Sequence, residues 1–165
     1  MDNTPKVALV MGSKNDLSSL KGFFKVLDEF AVAYVARVLS AHRTPAQAAD
    51  FARSAEENGI EVICAAAGKA AHLAGAIAAQ SILPIIGIPV KSSTLDGLDA
   101  LLSTVQMPAG MPVATVAIDG AENAALLAVQ ILSIKYPELK QKLKNHRSAM
   151  VEAVLAADKA LQEEI

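Results

Sequence analysis

The sequence predicts an α/β fold: a parallel sheet covered by helices on both faces, with an extra helix at the C-terminal end. Strand-length apolar runs alternate along the chain with segments of helical periodicity. Those runs are continuously apolar, as strands buried on both faces of a parallel sheet are. The composition agrees: 53% hydrophobic residues, much of it alanine, and no tryptophan suit helices packed closely on a sheet.

Lys6 to Met11 is the first expected strand and ends at Gly12-Ser13. A helix follows, with Leu17, Leu20, Phe24 and Leu27 on one face. Val32 to Leu39 is the second strand. Thr44-Pro45 marks a helix start, with Thr44 as the cap and Pro45 in the first turn. Ala48, Phe51 and Ala55 carry that helix to the stop signal Asn58-Gly59. Val62 to Ala66 is the third strand, followed by a small-residue helix from about Ala70 to Gln80.

Pro84 to Ile88 is the fourth strand, and Leu98 to Leu102 a short helix. Pro112 to Ile118 is the fifth strand, and Asn123 to Leu132 the next helix. Past Tyr136-Pro137 a more polar helix covers about 138–164, with Leu139, Leu143, Met150, Val154 and Leu161 as its apolar residues. It either packs on its own domain or reaches a neighbouring subunit. No repeat, low-complexity segment or linker divides the chain, so residues 1–165 are expected to form a single domain.

A net charge of −2 and a pI near 5.9, with scattered basic residues, give no reason to expect a nucleic-acid partner. Cys64 is the single cysteine, so no disulfide forms within the chain, and a reducing, cytoplasmic setting is expected. Residues 1–6 do not read as a signal peptide. Two stretches, between Lys69 and Lys91 and between Asp99 and Asp119, lack formal charge for about a membrane's length. Polar residues and breakers, among them His72, Pro84, Pro108 and Gly110, divide both into core elements rather than membrane spans.

Ligands of open parallel sheets bind beyond the carboxyl ends of the strands. The loops after the first three strands should therefore share one edge. They are Gly12 to Asp16, Ser40 to Pro45, and Ala67 to His72. Each lies at an expected helix start, where free backbone N–H groups favour an anion. Gly12 allows close backbone approach, Ser13 adds a hydroxyl, and Arg43 offers a planar fork to a phosphate. Asp16 suits sugar hydroxyls better than phosphate. Ser13, Asn15 and Asp16 are equally ordinary helix-capping residues.

His42, beside Arg43, is the candidate acid–base group, because histidine both takes and gives a proton near neutral pH. His72 either packs or lines the pocket, and His146 is expected at the surface. No Cys, His, Asp or Glu grouping has the spacing of a metal site. No serine sits in a nucleophile elbow.

At these loops the chain resembles the N5-carboxyaminoimidazole ribonucleotide mutases, the class I PurE family of purine biosynthesis. The matching residues are Met11-Gly12-Ser13 with Asp16, then Ser40-Ala41-His42-Arg43-Thr44-Pro45, then Ala67-Gly68 with Ala70-Ala71-His72-Leu73. Pro84 to Val90, Leu98-Asp99, Gln106-Met107-Pro108, Pro112 to Ile118 and Asn123 to Leu127 extend the likeness in unbroken order. The resemblance implies a three-layer α/β/α, flavodoxin-like domain assembled as a homo-octamer. It implies moving a carboxylate from the exocyclic nitrogen of the ribonucleotide to ring carbon C4, with no metal or cofactor. Ser13 and Arg43 then hold the 5′-phosphate and Asp16 the ribose, within the loop segments that include Gly12 and Ala41. Ser40 orients the carboxylate, and His42 removes the C4 proton. Gly68, Ala70, His72 and Leu73 form the wall where CO2 is held.

The chain departs from the family at Lys69, where glycine is usual, and at Asn15 and Ala74, where serine and proline are frequent. Related carboxylases that use CO2 directly carry a basic residue at position 69. They also replace Arg43 with lysine and lack His72, so the balance favours the mutase. Direct carboxylation by CO2 and a non-catalytic flavodoxin-like binding module are the competing readings.

Overall fold

The computed structural model describes residues 4–93 and 95–165. Five parallel strands form one sheet: β1 (Val7–Met11), β2 (Tyr34–Val38), β3 (Val62–Gly68), β4 (Ile85–Val90) and β5 (Ala114–Thr115), in the order β2-β1-β3-β4-β5. Six α-helices accompany them among the described residues: α1 (Lys21–Phe30), α2 (Pro45–Ser54), α3 (Leu73–Ala78), α4 (Leu98–Val105), α5 (Ala121–Leu132) and α6 (Pro137–Glu164).

The two-residue period of the strands divides the core between two faces. Val7, Leu9, Met11, Cys64 and Ala66 pack with residues of α1 and α5. Ala8, Val10, Ile63 and Ala65 pack with residues of α2 and α3 on the other face. Three layers result, as expected. The two edge strands are the exceptions to continuous burial: residues 36–38 of β2 are exposed, and neither residue of β5 is buried.

Several elements differ from expectation. The stretch Lys14–Leu20 is a 3₁₀ turn, whose tighter winding takes Leu17 off the face that α-helical spacing assigns it. The buried stripe instead runs through Leu20, Phe23, Leu27 and Phe30. Thr44 does not cap α2; its hydroxyl closes the preceding loop on itself. The third helix begins only at Leu73, because short turns from Ala71 N to Lys69 O and from His72 N to Ala70 O occupy its expected first turn.

β5 has two residues in place of seven. The Val116 N–H still reaches the Gly87 carbonyl at 3.1 Å. Two residues further along β4, on the same side, stands Pro89, which has no N–H to continue the ladder.

α6 docks through its first turns. Leu139 is fully buried, and Leu143 packs against the core. Lys142 Nζ donates to the Phe30 carbonyl at 2.6 Å, satisfying the end of α1. His146 is not a free surface residue; its ring lies 5.7 Å from that of Phe30. From residue 147 onward every residue is exposed, including Met150, Val151, Val154 and Leu155. No helix among the described residues is long and apolar enough to cross a membrane.

Candidate active site

β1 has β2 on one side and β3 on the other, so the chain leaves β1 in one direction and returns in the other. That reversal opens a crevice at the strand ends. A cleft of about 640 Å³ occupies it. The three anticipated loops line it, and the loop after β4 joins them through Lys91, Ser92 and Ser93.

The first loop brings Gly12, Ser13, Asn15 and Asp16 to the cleft. Ser13 Oγ accepts from the Asn15 N–H at 3.2 Å, and the Asp16 carboxylate accepts from the Ser13 N–H at 3.2 Å. Both side chains therefore cap the 3₁₀ turn while facing the cleft. Burial pushes the Asp16 carboxyl above the usual carboxylate range, against the opposing pull of the Ser13 N–H and the Arg43 charge.

The second loop is held from within. Thr44 Oγ1 accepts from the Ser40 N–H at 2.9 Å and donates to the Ser40 carbonyl at 3.1 Å. Ser40 Oγ in turn accepts from the Arg43 N–H at 3.2 Å and from Arg43 Nε at 3.4 Å. Arg43 Nη2 donates to the Gly12 carbonyl at 2.7 Å, which ties this loop to the first. Ala41 and His42 complete the cleft wall. The His42 ring makes no hydrogen bond among the described residues, so both nitrogens are open to a ligand.

The third loop supplies Gly68, Lys69, Ala70, His72 and Leu73. A Cβ at Gly68 would lie 3.1 Å from the Val90 carbonyl oxygen, so this loop presses on the start of the fourth. His72 rests on Gly75, where a Cβ would come within 2.6 Å of the ring. His72 thus both packs and lines the cleft. Beneath the loop, the buried Thr104 hydroxyl lies 3.1 Å from the Ala71 carbonyl and 2.8 Å from that of Ala100.

The candidate catalytic and substrate-binding residues named from the sequence all line this one cleft, whereas Thr44, Pro45 and His146 do not. Lys91, Ser92, Ser93, Gly75 and Thr104 were not singled out. The polar run after the apolar strand Ile85–Val90 is the signal that marks the fourth loop. A second cleft, of about 620 Å³, lies at the opposite strand ends beside Arg53, Gln80 and Met111. Its arginine is already bound to Gln80 and Asp50. No grouping of three His, Cys, Asp or Glu suits a metal ion among the described residues.

The AIR carboxylase family model matches residues 6–153. The chain belongs to the AIR carboxylase family. It is 61% identical over 146 residues to the N5-carboxyaminoimidazole ribonucleotide mutase of Pyrococcus abyssi, covering 88% of this chain and 84% of that protein. It is 51% identical to the Thermotoga maritima mutase of the same name, covering 96% of this chain and 93% of that one. The fold is also that of the crystal structure of Treponema denticola PurE, with a TM-score of 0.87 at 26% identity, over 95% of this chain and 98% of the other.

Proposed function

We infer that the chain is an N5-carboxyaminoimidazole ribonucleotide mutase, an isomerase of purine biosynthesis. One observation carries this reading. In a chain 61% identical to a mutase, His42 and Arg43 line one cleft together with the small residues Ala67, Gly68 and Ala70.

The substrate is a carbamate, and ring carbon C4 is an enamine-like nucleophile. Ser13 and Arg43 hold the 5′-phosphate, and Asp16 accepts from the ribose hydroxyls. The N–C bond of the carbamate breaks, releasing CO2 as the nitrogen gains a proton. CO2 stays against Gly68, Ala70, His72 and Leu73, with Ser40 orienting the carboxylate. C4 attacks it, a C–C bond forms, and His42 removes the C4 proton so that the ring regains aromaticity. The proton taken up at nitrogen balances the one lost from C4. Such chemistry asks for confinement, orientation and one proton carrier.

The exposed apolar residues of α6 fit contacts between subunits of a homo-octamer. A phosphorylated substrate and a single buried thiol fit the cytoplasm.

Purified protein is supplied either with the N5-carboxy nucleotide or with aminoimidazole ribonucleotide (AIR) and bicarbonate. Turnover of the first is expected. Turnover of AIR with bicarbonate alone would make the enzyme a direct carboxylase. Binding without either turnover would make it a non-catalytic module.

A further inference from the structure

We propose that Lys69 is a specificity-determining contact of the cleft, its ammonium pairing with the carboxylate that the substrate carries and AIR lacks. The inference rests on the mutase reading and adds to it a residue that the family pattern leaves as glycine.

Lys69 holds a left-handed backbone, with φ at 58°. That region is costly for a residue with a Cβ and free for glycine. Three of the four other non-glycine residues in this region, among the described residues, do visible structural work. Ala31 closes the end of α1, the Asp96 carboxylate pairs with Lys91, and the Asp119 carboxylate accepts from the Lys91 N–H. Lys69 has no ion pair and no side-chain hydrogen bond among the described residues. The Lys69 carbonyl closes the short turn to the Ala71 N–H, but its side chain does nothing for the fold and is left for a ligand.

Charge in the cleft says which ligand group. Arg43 has Asp16 close enough to oppose the burial that raises that carboxyl, and Lys91 has Asp96 at 3.0 Å. Lys69 lacks an anionic partner among the described residues, yet it lines the same cleft. Its strand, β3, lies two positions from β2, whose loop carries Arg43. The Arg43 guanidinium, however, reaches back to the Gly12 carbonyl at the end of β1, whereas Lys69 stands between Gly68 and Ala70, on the wall that the mutase reading gives to CO2. With the phosphate at Arg43, the anion left for Lys69 is the carboxylate. An ammonium at a cleft wall gains strength as a ligand displaces water around it.

The test compares the wild type with Lys69→Gly and Lys69→Arg in the full chain. Calorimetry measures the affinity of each for the 4-carboxy nucleotide and for AIR. Glycine suits the left-handed turn, so Lys69→Gly removes the charge without disturbing the loop. Lys69→Gly is expected to weaken the carboxylated nucleotide by about tenfold and AIR by less than about twofold. Lys69→Arg is expected to keep most of the affinity for both.

Equal weakening of both nucleotides would place Lys69 on the phosphate and overturn the proposal. Unchanged binding of both would also overturn it. A wild type that binds the 4-carboxy nucleotide but whose variants bind it equally well sinks Lys69 alone. A wild type that binds neither nucleotide sinks the mutase reading and this proposal with it.

Discussion

Arg43 Nη2 donates to the carbonyl oxygen of Gly12 at 2.7 Å, joining the loop after β2 to the end of β1. Ser40 Oγ takes the Arg43 Nε–H at 3.4 Å. The guanidinium is thereby oriented before any ligand arrives, and its remaining N–H groups are left for a phosphate. Arg43→Ala is expected to raise KM by about one hundredfold, in line with the loss of a charge-assisted bidentate contact. Arg43→Lys keeps the charge but loses the fork, and about a tenfold rise is expected. Steady-state kinetics check both, and an unchanged KM removes the phosphate role.

His42→Asn should separate chemistry from binding. Loss of the proton carrier is expected to lower kcat by about 10²- to 10⁴-fold. Affinity for the 4-carboxy nucleotide should stay close to wild type, as read by calorimetry. Near-normal turnover by this variant would show that another group moves the C4 proton.

Gly87→Ala tests the floor beneath the third loop. The added methyl would lie 2.3 Å from Thr104 Cγ2 and 3.1 Å from Val113 Cγ1. Overpacking of this kind costs roughly 1–3 kcal/mol. Thr104 also holds the Ala71 carbonyl, so pushing it aside should loosen the loop that carries His72. Urea unfolding is expected to show a lower midpoint at unchanged slope, together with reduced turnover.

Acid sensitivity should depend on Glu61. Burial alone would raise its pKa, but hydrogen bonds from Tyr136 Oη at 2.5 Å and Lys135 Nζ at 2.9 Å outweigh burial and hold it below the usual range. A depressed folded pKa contributes stability above the unfolded value of 4.5. That contribution is lost as pH falls through the folded value. Tyr136→Phe removes one donor, at a cost of about 1 kcal/mol near neutral pH. The variant's unfolding midpoint should fall less steeply on acidification than that of the wild type. An identical slope would remove Glu61 from the acid response.

Lys69→Gly should also be the more stable protein. Relief of the left-handed backbone is worth about 1–2 kcal/mol, reduced by the extra freedom glycine has when unfolded. A net gain of up to about 1 kcal/mol in thermal or urea unfolding is expected. A loss of stability would mean that Lys69 supports the fold.

Much of this architecture was legible in the sequence, because β1, β3 and β4 are buried on both faces and read as unbroken apolar runs. The loops Gly12–Asp16, Ser40–Pro45 and Ala67–His72 stood out as polar interruptions at helix starts. What local pattern could not convey was adjacency. Ser92 and Ser93 enter the cleft because β4 lies beside β3, and strand order is a tertiary property. Thr44 has the right identity and place for a helix cap, yet the closure of its loop on Ser40 claims its hydroxyl. Pro89 shortens β5 from the neighbouring strand, a long-range effect that no window over residues 112–118 contains. His146 sits on a polar helix and still finds Phe30, which lies on a distant segment.

The single thiol of Cys64 lies at the middle of the central strand and is fully buried, and burial drives its pKa far above that of a free cysteine. It cannot meet an alkylating reagent unless the sheet itself comes apart. Its labelling rate is therefore a built-in clock for opening of the central sheet, readable by mass alone without any introduced probe. Ligand that tightens the cleft at the ends of β1 and β3 should slow that clock.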